Sequence, residues 1–129
     1  MTLYLEGQFS EKFIQDYVIK ALIVKIHSFA SESNLTRINE FLKDKYKIDV
    51  MTILKEMSFS INKYNNTWTV SINNNTYDEK SQEKIISLLK LIEYGNLRVK
   101  GLHIIDRAFK YIKSHINELY KLYIMKGGR

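Results

Sequence analysis

The sequence predicts an α+β fold: an antiparallel sheet built on a central hairpin over about residues 56–73, with N-terminal helices and a long C-terminal helix packed on one face. Three observations predict it. Apolar and polar residues alternate in the middle of the chain, apolar residues recur every three or four positions on both sides, and 129 residues without a linker suit one domain, residues 1–129.

The N-terminal third carries a long helical pattern after a short start at Leu3 and Leu5. Ser10 is the expected N-cap of a helix over about residues 11–30. Apolar residues spaced three or four positions apart form a stripe along this helix. Three more apolar residues widen the stripe beyond one face, namely Ile19, Ile23 and Val24. We therefore expect this helix to be central in the core or shared with a partner subunit.

A second, shorter helix follows the polar cluster at residues 31–34. It places Leu35, Ile38, Phe41 and Leu42 inward and ends near the charged residues 43–47. Residues 48–54 fit either a helical turn or the entry to a strand.

The middle of the chain is a predicted β-hairpin. Alternating apolar residues occur in two runs, Met57, Phe59 and Ile61, then Trp68, Val70 and Ile72. A two-residue turn at Asn65-Asn66 suits type I′ and pairs Ile61 with Val70 and Phe59 with Ile72. Residues 73–75, all asparagine, close the hairpin.

The C-terminal half predicts two more helices. Asp78 caps a helix over about residues 79–93, and Gly95 is its expected left-handed stop. A short extended segment runs from Leu97 to Leu102, and the last helix covers about residues 104–125. The expected order is two helices, a hairpin, a helix, a strand and a helix.

The formal net charge of +6 is concentrated in the last quarter of the chain. Residues 1–95 carry equal numbers of acidic and basic residues, whereas residues 96–129 carry eight basic residues against Asp106 and Glu118. The candidate face for an anionic partner comprises Arg98, Lys100, Arg107, Lys110, Lys113 and Lys121. That partner is nucleic acid or an acidic protein; an ordinary solvated surface is the open alternative.

The sequence assembles the groups needed for catalysis poorly. Without cysteine it has no thiolate nucleophile, zinc finger or disulfide scaffold. His103 and His115 stand about 120° apart around a helix and cannot act together as ligands. Phosphate-loop and serine-nucleophile motifs are absent. We expect a non-enzyme without a cofactor, catalytic residue or metal site.

Two further expectations concern surroundings and surface. The longest apolar run, residues 21–24, is far shorter than the roughly 20 residues of a membrane span, and no signal peptide is recognised, so we expect an intracellular protein without membrane contact.

Trp68 is a candidate interface aromatic that stacks on a base or fills a partner's pocket. The alternative is that Trp68 closes the open end of the core.

Residues 91–109 resemble part of a known family. The segment Leu91-Ile92-Glu93-Tyr94-Gly95-Asn96, followed by Ile104-Ile105-Asp106-Arg107-Ala108-Phe109, resembles tailed-bacteriophage tail-completion proteins, also called head–tail joining or tail-terminator-type proteins. Glu93, Tyr94 and Gly95 match the family's "E-Y-G" stop, and Ala108 matches the alanine that enters its last helix. His103 and Arg107 replace the family's two prolines, and its usual entry to the hairpin is not evident.

The resemblance implies a structural role. Such proteins are small α+β subunits of a ring homo-oligomer at the head–tail interface, where they contact connector and tail-tube proteins. The expected location is the virion, assembled in the host cytoplasm, with DNA in the channel as a further contact. Within the motif, we expect Glu93 to hydrogen-bond the turning chain and Tyr94 to pack on the preceding helix.

Two other interpretations stay open. The chain is alternatively a small basic nucleic-acid-binding or regulatory protein that uses its C-terminal helix. A salt-dependent affinity for duplex DNA is the expected signature of that function. The third interpretation is a host-directed inhibitor or another protein-binding module.

Overall fold

The computed structural model describes residues 1–72, 76–79 and 82–129. Three strands form an antiparallel sheet in the order β1-β3-β2. Their bounds are β1 Thr2–Glu6, β2 Phe59–Tyr64 and β3 Thr67–Ile72. The helices are α1 Glu11–Phe13, a π-helical segment Ile14–Ile19, α2 Lys20–Glu32, α3 Thr36–Tyr46, α4 Val50–Lys55, α5 Ile85–Tyr94 and α6 Ile104–Met125. The predicted α+β fold is confirmed.

The hairpin has the predicted register, with Ile61 opposite Val70 and Phe59 opposite Ile72. The turn differs from the predicted type I′, which needs a positive φ at both central residues. Only Asn65 has one, at 54°. The Asn66 carbonyl instead accepts a hydrogen bond of 2.8 Å from the Gly7 N–H, which ties the turn to the end of β1.

The strand that joins the hairpin in the sheet is β1, and not the predicted extended segment at residues 97–102. In β1, Leu3 pairs with Val70 and Leu5 with Trp68, and both leucines are buried. Residues 97–102 form no strand, and one isolated bridge joins Gly95 to Lys100. Five residues with two leucines give a weak local pattern; the strand forms because β3 offers them a buried edge.

The predicted helix over residues 11–30 is three consecutive helical segments that end at Glu32. Ser10 is the expected N-cap, since its Oγ accepts the Phe13 N–H at 3.2 Å. The stripe buries six residues, Phe13, Ile14, Val18, Leu22, Ile26 and Ala30. Of the three widening residues, Ile19 is half-buried against the core, whereas Ile23 is 36% exposed and Val24 is 64% exposed.

Within residues 48–54, the chain forms a helix and not a strand: α4 begins at Val50, after the N-cap Asp49. Its carboxylate accepts the Thr52 N–H at 2.9 Å. This bond, the Thr52 hydroxyl and the charges of Lys43 and Lys55 hold the pKa of Asp49 below its usual range, although burial acts in the opposite direction. Asp49 therefore stabilises the start of α4 as a carboxylate.

Helix α5 begins at Ile85, six residues later than predicted, and Asp78 does not cap it. Asp78 is buried in a turn; its N–H donates to the Glu83 carbonyl at 2.8 Å, and its carbonyl accepts the Gln82 N–H at 2.9 Å. Residues 80 and 81 of the predicted helix lie outside the described residues, as do residues 73–75, predicted to close the hairpin.

Helix α6 has the predicted bounds and packs antiparallel to α2. Near its start, the Arg107 guanidinium lies 5.0 Å from the centre of the Phe29 ring, at the end of α2. Near its end, the Tyr123 ring lies 5.4 Å from the Tyr17 ring, before α2 begins. Both helices contribute to one buried apolar cluster with the sheet. No helix in the described part of the chain has the length and apolarity needed to cross a membrane.

The substitution Leu5→Ala tests whether β1 belongs to the core. Removing this buried side chain, which is 3% exposed, should lower the free energy of unfolding by about 2–4 kcal/mol because a cavity remains. Tyr4→Thr, on the outer face where Tyr4 is 56% exposed, is the control and should stay within about 0.5 kcal/mol of wild type. Urea denaturation measures both, and equal losses would contradict the placement of β1.

The substitution Asp49→Ala tests the cap of α4. It should lower the free energy of unfolding by about 1 kcal/mol at neutral pH. Because the folded chain lowers the pKa of Asp49, its ionised form stabilises the fold above the usual pKa of 3.8, and this contribution is lost as pH falls through the native pKa. Urea denaturation from about pH 5 to about pH 2 should show the wild-type advantage shrinking. Asp49→Asn, which keeps an acceptor oxygen, should lose less at neutral pH, and a pH-independent difference would contradict the assignment.

Candidate interaction site

Glu93 joins the end of α5 to the start of α6. Its side chain is 1% exposed, and its two carboxylate oxygens accept the N–H groups of Ile105 and Asp106, each at 2.8 Å. These donors belong to the first turn of α6, where backbone N–H groups have no acceptor within the helix. The residue at the N-cap position, His103, makes no side-chain cap, so the Glu93 carboxylate replaces it. The expected hydrogen bonding by Glu93 is confirmed.

Two backbone hydrogen bonds also join the end of α5 to the start of α6. The Ile92 carbonyl accepts the Leu102 N–H at 2.8 Å, and the Glu93 carbonyl accepts the His103 N–H at 3.1 Å. A negative charge at a helix N-terminus is also favoured by the helix dipole. Residues 92–93 therefore fix where α6 begins.

Two glycines let the chain fold back between these helices. Gly95 has φ 75° and ψ −167°, so it ends α5 in a region open essentially to glycine and not in the predicted left-handed conformation. A Cβ atom on Gly95 would collide with the Gly101 nitrogen and the Val99 carbonyl, and one on Gly101 would collide with the Glu93 carbonyl. The two backbones thus pass in contact, which requires glycine at both positions.

Residues 96–102 form a short projecting loop, called here the 96–102 loop. The Asn96 N–H donates to the Val99 carbonyl at 2.9 Å, while its Oδ1 accepts the N–H groups of Arg98 at 2.8 Å and Val99 at 3.0 Å. Leu97 at the tip is fully exposed. The loop thus holds the Leu97 side chain in water through hydrogen bonds of its own.

The other two motif residues lie beside this junction. Ala108 is fully buried, one turn into α6. Tyr94 does not pack into the preceding helix as predicted: it is 61% exposed and meets the His103 ring edge-on, with 6.3 Å between ring centres. Its position at the last turn of α5 points it away from the buried stripe of that helix.

The predicted basic face is not one cluster. The Arg107 guanidinium donates to the carbonyls of Leu102 and His103, both at 3.2 Å, and to Ser33 Oγ at 3.4 Å. Lys110 forms an ion pair of 3.2 Å with Asp106. Both side chains are thus engaged with the protein itself. Lys113 and Lys121 are exposed on α6, separated by about 12 Å along the helix.

Arg98 and Lys100 instead lie with cations of α3. A cleft of about 460 Å³ is lined by Phe41, Asp44, Lys45, Asn96, Leu97 and Arg98. A second, of about 180 Å³, is lined by Asn34, Arg37, Ile38, Val99, Lys100, Gly101 and Leu102. The structure therefore adds Arg37 and Lys45 to the candidate site. Both residues were missed from the sequence because acidic and basic residues are equal in number over residues 1–95. The i, i+4, i+8 spacing of Arg37, Phe41 and Lys45 nevertheless places them on one face of α3.

Trp68 lies in the core and is 6% exposed. Its indole N–H donates to the Phe9 carbonyl at 3.0 Å, and the Lys63 ammonium lies 5.4 Å from the ring centre. This environment favours the alternative in which Trp68 closes the open end of the core. Lys63, on the inner face of an edge strand, also discourages a further strand from adding there.

Over the residues that the structure describes, no group of three or more histidine, aspartate or glutamate side chains could hold a metal ion. Comparisons with protein-family models, curated proteins and solved structures found no match to this chain. Function is therefore inferred from the residues of the chain and their geometry.

The substitution Glu93→Ala tests the junction. It leaves the Ile105 and Asp106 N–H groups without their acceptor, and should lower the free energy of unfolding by about 2–4 kcal/mol. Glu118→Ala, on the exposed face of the same helix, is the matched control and should change stability by less than about 0.5 kcal/mol. Urea denaturation measures both variants. Similar small losses would show that Glu93 is not needed to hold α6.

Proposed function

We propose that this chain is a non-enzymatic structural protein of a tailed phage, a subunit of a ring that completes the head–tail interface during virion assembly. One observation carries the proposal: the four residues that resemble the family belong to a single structural junction. Glu93 caps α6, Gly95 permits the backbone contact, Ala108 is buried one turn later, and Tyr94 is exposed beside them.

Exposed apolar residues support a subunit that contacts neighbours. Val24 on the outer side of α2 is 64% exposed, Leu97 at the loop tip is fully exposed, and Met125 at the end of α6 is 80% exposed. A closed ring needs two different surfaces on each subunit, because each copy meets its neighbours head to tail. The outer side of α2 and the C-terminal end of α6 offer two such surfaces. The connector and tail-tube proteins would meet the faces above and below the ring, and DNA would pass through its channel.

The nucleic-acid-binding alternative has less support. It relies on α6, yet Arg107 and Lys110 on that helix are engaged by carbonyl groups and by Asp106. Phosphate binding by Arg107 would have to replace its contacts with Leu102 and Ser33, and phosphate binding by Lys110 would have to compete with Asp106.

Particle composition tests the proposed function. Mass spectrometry of gradient-purified virions of the phage that encodes this chain should detect it at a fixed copy number per particle, because a ring contributes a constant set of subunits. A non-structural protein of the same phage serves as the negative control. Inactivating the gene should leave full heads and tails unjoined in electron micrographs, since the interface is incomplete.

Three results would overturn the proposal. The first is the absence of the chain from purified virions and from assembly intermediates. The second is normal infectious particles after the gene is inactivated. The third is a gene that lies apart from portal, capsid and tail-tube genes.

A further inference from the structure

We infer that the surface between α3 and the 96–102 loop is a docking site for an acidic segment of a partner protein that carries an apolar anchor residue. This surface, called here the α3–loop surface, comprises the two clefts lined by α3 and the 96–102 loop. The inference does not require the phage role, because it rests on the surface itself and would hold for any protein-binding module.

The apolar part of the site is Leu97 with Phe41. Leu97 is fully exposed at the loop tip, and Phe41 is half-buried; both line the cleft of about 460 Å³. Asn96 already orders the loop through its hydrogen bonds from Arg98 and Val99. The loop therefore loses little conformational freedom when a partner binds. An apolar side chain of the partner that enters this cleft would be the central anchor of the contact.

The charges around this anchor select an acidic partner. Four exposed cations line the two clefts, Arg37, Lys45, Arg98 and Lys100. Among the lining residues that the structure describes, Asp44 is the one carboxylate, and no ion pair in the described part of the chain involves any of the four cations. Cations without carboxylate partners attract an acidic segment over distances near the Debye length. A second copy of this chain fits less well, because each copy carries a net charge of +6.

The geometry favours protein over nucleic acid. Leu97, the most exposed side chain at the centre, has no ring for base stacking and no group for hydrogen bonding to a base edge. The ring of Phe41 is half-buried, and the Lys45 ammonium lies 5.8 Å from its centre. The N–H groups of Arg98 and Val99, which in an open loop would cradle a phosphate, already donate to Asn96 Oδ1. Arginine and lysine side chains around an apolar centre suit aspartate and glutamate around an apolar residue.

A random peptide library tests the inference without knowledge of the partner. Twelve-residue peptides displayed on a carrier surface are selected against the purified full-length chain. Selected peptides should be enriched in aspartate and glutamate around an apolar residue. Replacing that apolar residue by serine should weaken binding at least about tenfold, since it removes the anchor.

Variants of the chain locate the site. Leu97→Ala and the double variant Arg98→Glu/Lys100→Glu should each weaken binding of a selected peptide at least about tenfold in fluorescence anisotropy. The double variant Lys113→Glu/Lys121→Glu changes the net charge by the same amount on α6 and should change affinity less than about twofold. Urea denaturation midpoints near that of wild type confirm that these exposed positions leave the fold intact.

Several outcomes would overturn the inference. They are selection of basic or uncharged peptides, failure to select any peptide, and equal binding by both charge-reversal variants. A single-stranded 20-nucleotide DNA that binds the same surface more tightly than the selected peptides would assign the surface to nucleic acid. Dimers in mass photometry that Leu97→Ala abolishes would assign it to a second copy. Absence of the chain from virions together with acidic peptide binding would refute only the phage role.

Discussion

The structure depends on a buried carboxylate, Glu93, that reaches from the end of α5 to the first N–H groups of α6. A buried carboxylate is costly unless charge-assisted hydrogen bonds compensate it, and here two amide donors do so. The same contact sets the start of the longest helix of the chain, which then packs along α2. The packing of α6 on the core and the place where the 96–102 loop ends thus both depend on this contact.

The contacts that stabilise the junction between α5 and α6 also hold Leu97 exposed at the tip of the 96–102 loop. Because Gly95 and Gly101 bring two backbones into contact, the chain leaves α5, forms a loop and enters α6 within nine residues. The loop between them keeps its shape through Asn96 and holds Leu97 in water. A long flexible loop would hide such a leucine or lose entropy on binding; a short one fixed at both ends does neither. Its contact with α3 adds Arg37 and Lys45 to the cations that surround the tip.

Sequence patterns predicted the features that depend on neighbours close in the chain. The hairpin register followed from alternation and a two-residue turn, and α6 from its regular apolar stripe. Features that depend on distant residues were missed: Leu3 and Leu5 become a strand because β3, more than sixty residues away, pairs with them. The candidate site divides in the same way. Arg98 and Lys100 were found from local charge excess, whereas Arg37 and Lys45 join them only because α3 packs beside the loop. Arg107 stands among cations in the sequence, yet it hydrogen-bonds the carbonyls before α6.

Native-state amide hydrogen exchange measured by NMR tests most directly whether the junction is rigid. If the junction is rigid, the amides of Leu102, His103, Ile105 and Asp106 exchange nearly as slowly as the slowest amides of β3, because they open only when the fold opens. Fast exchange of these four amides while β3 stays protected would contradict a rigid junction. The start of α6 would then fray independently, and the loop would not be a fixed platform for Leu97.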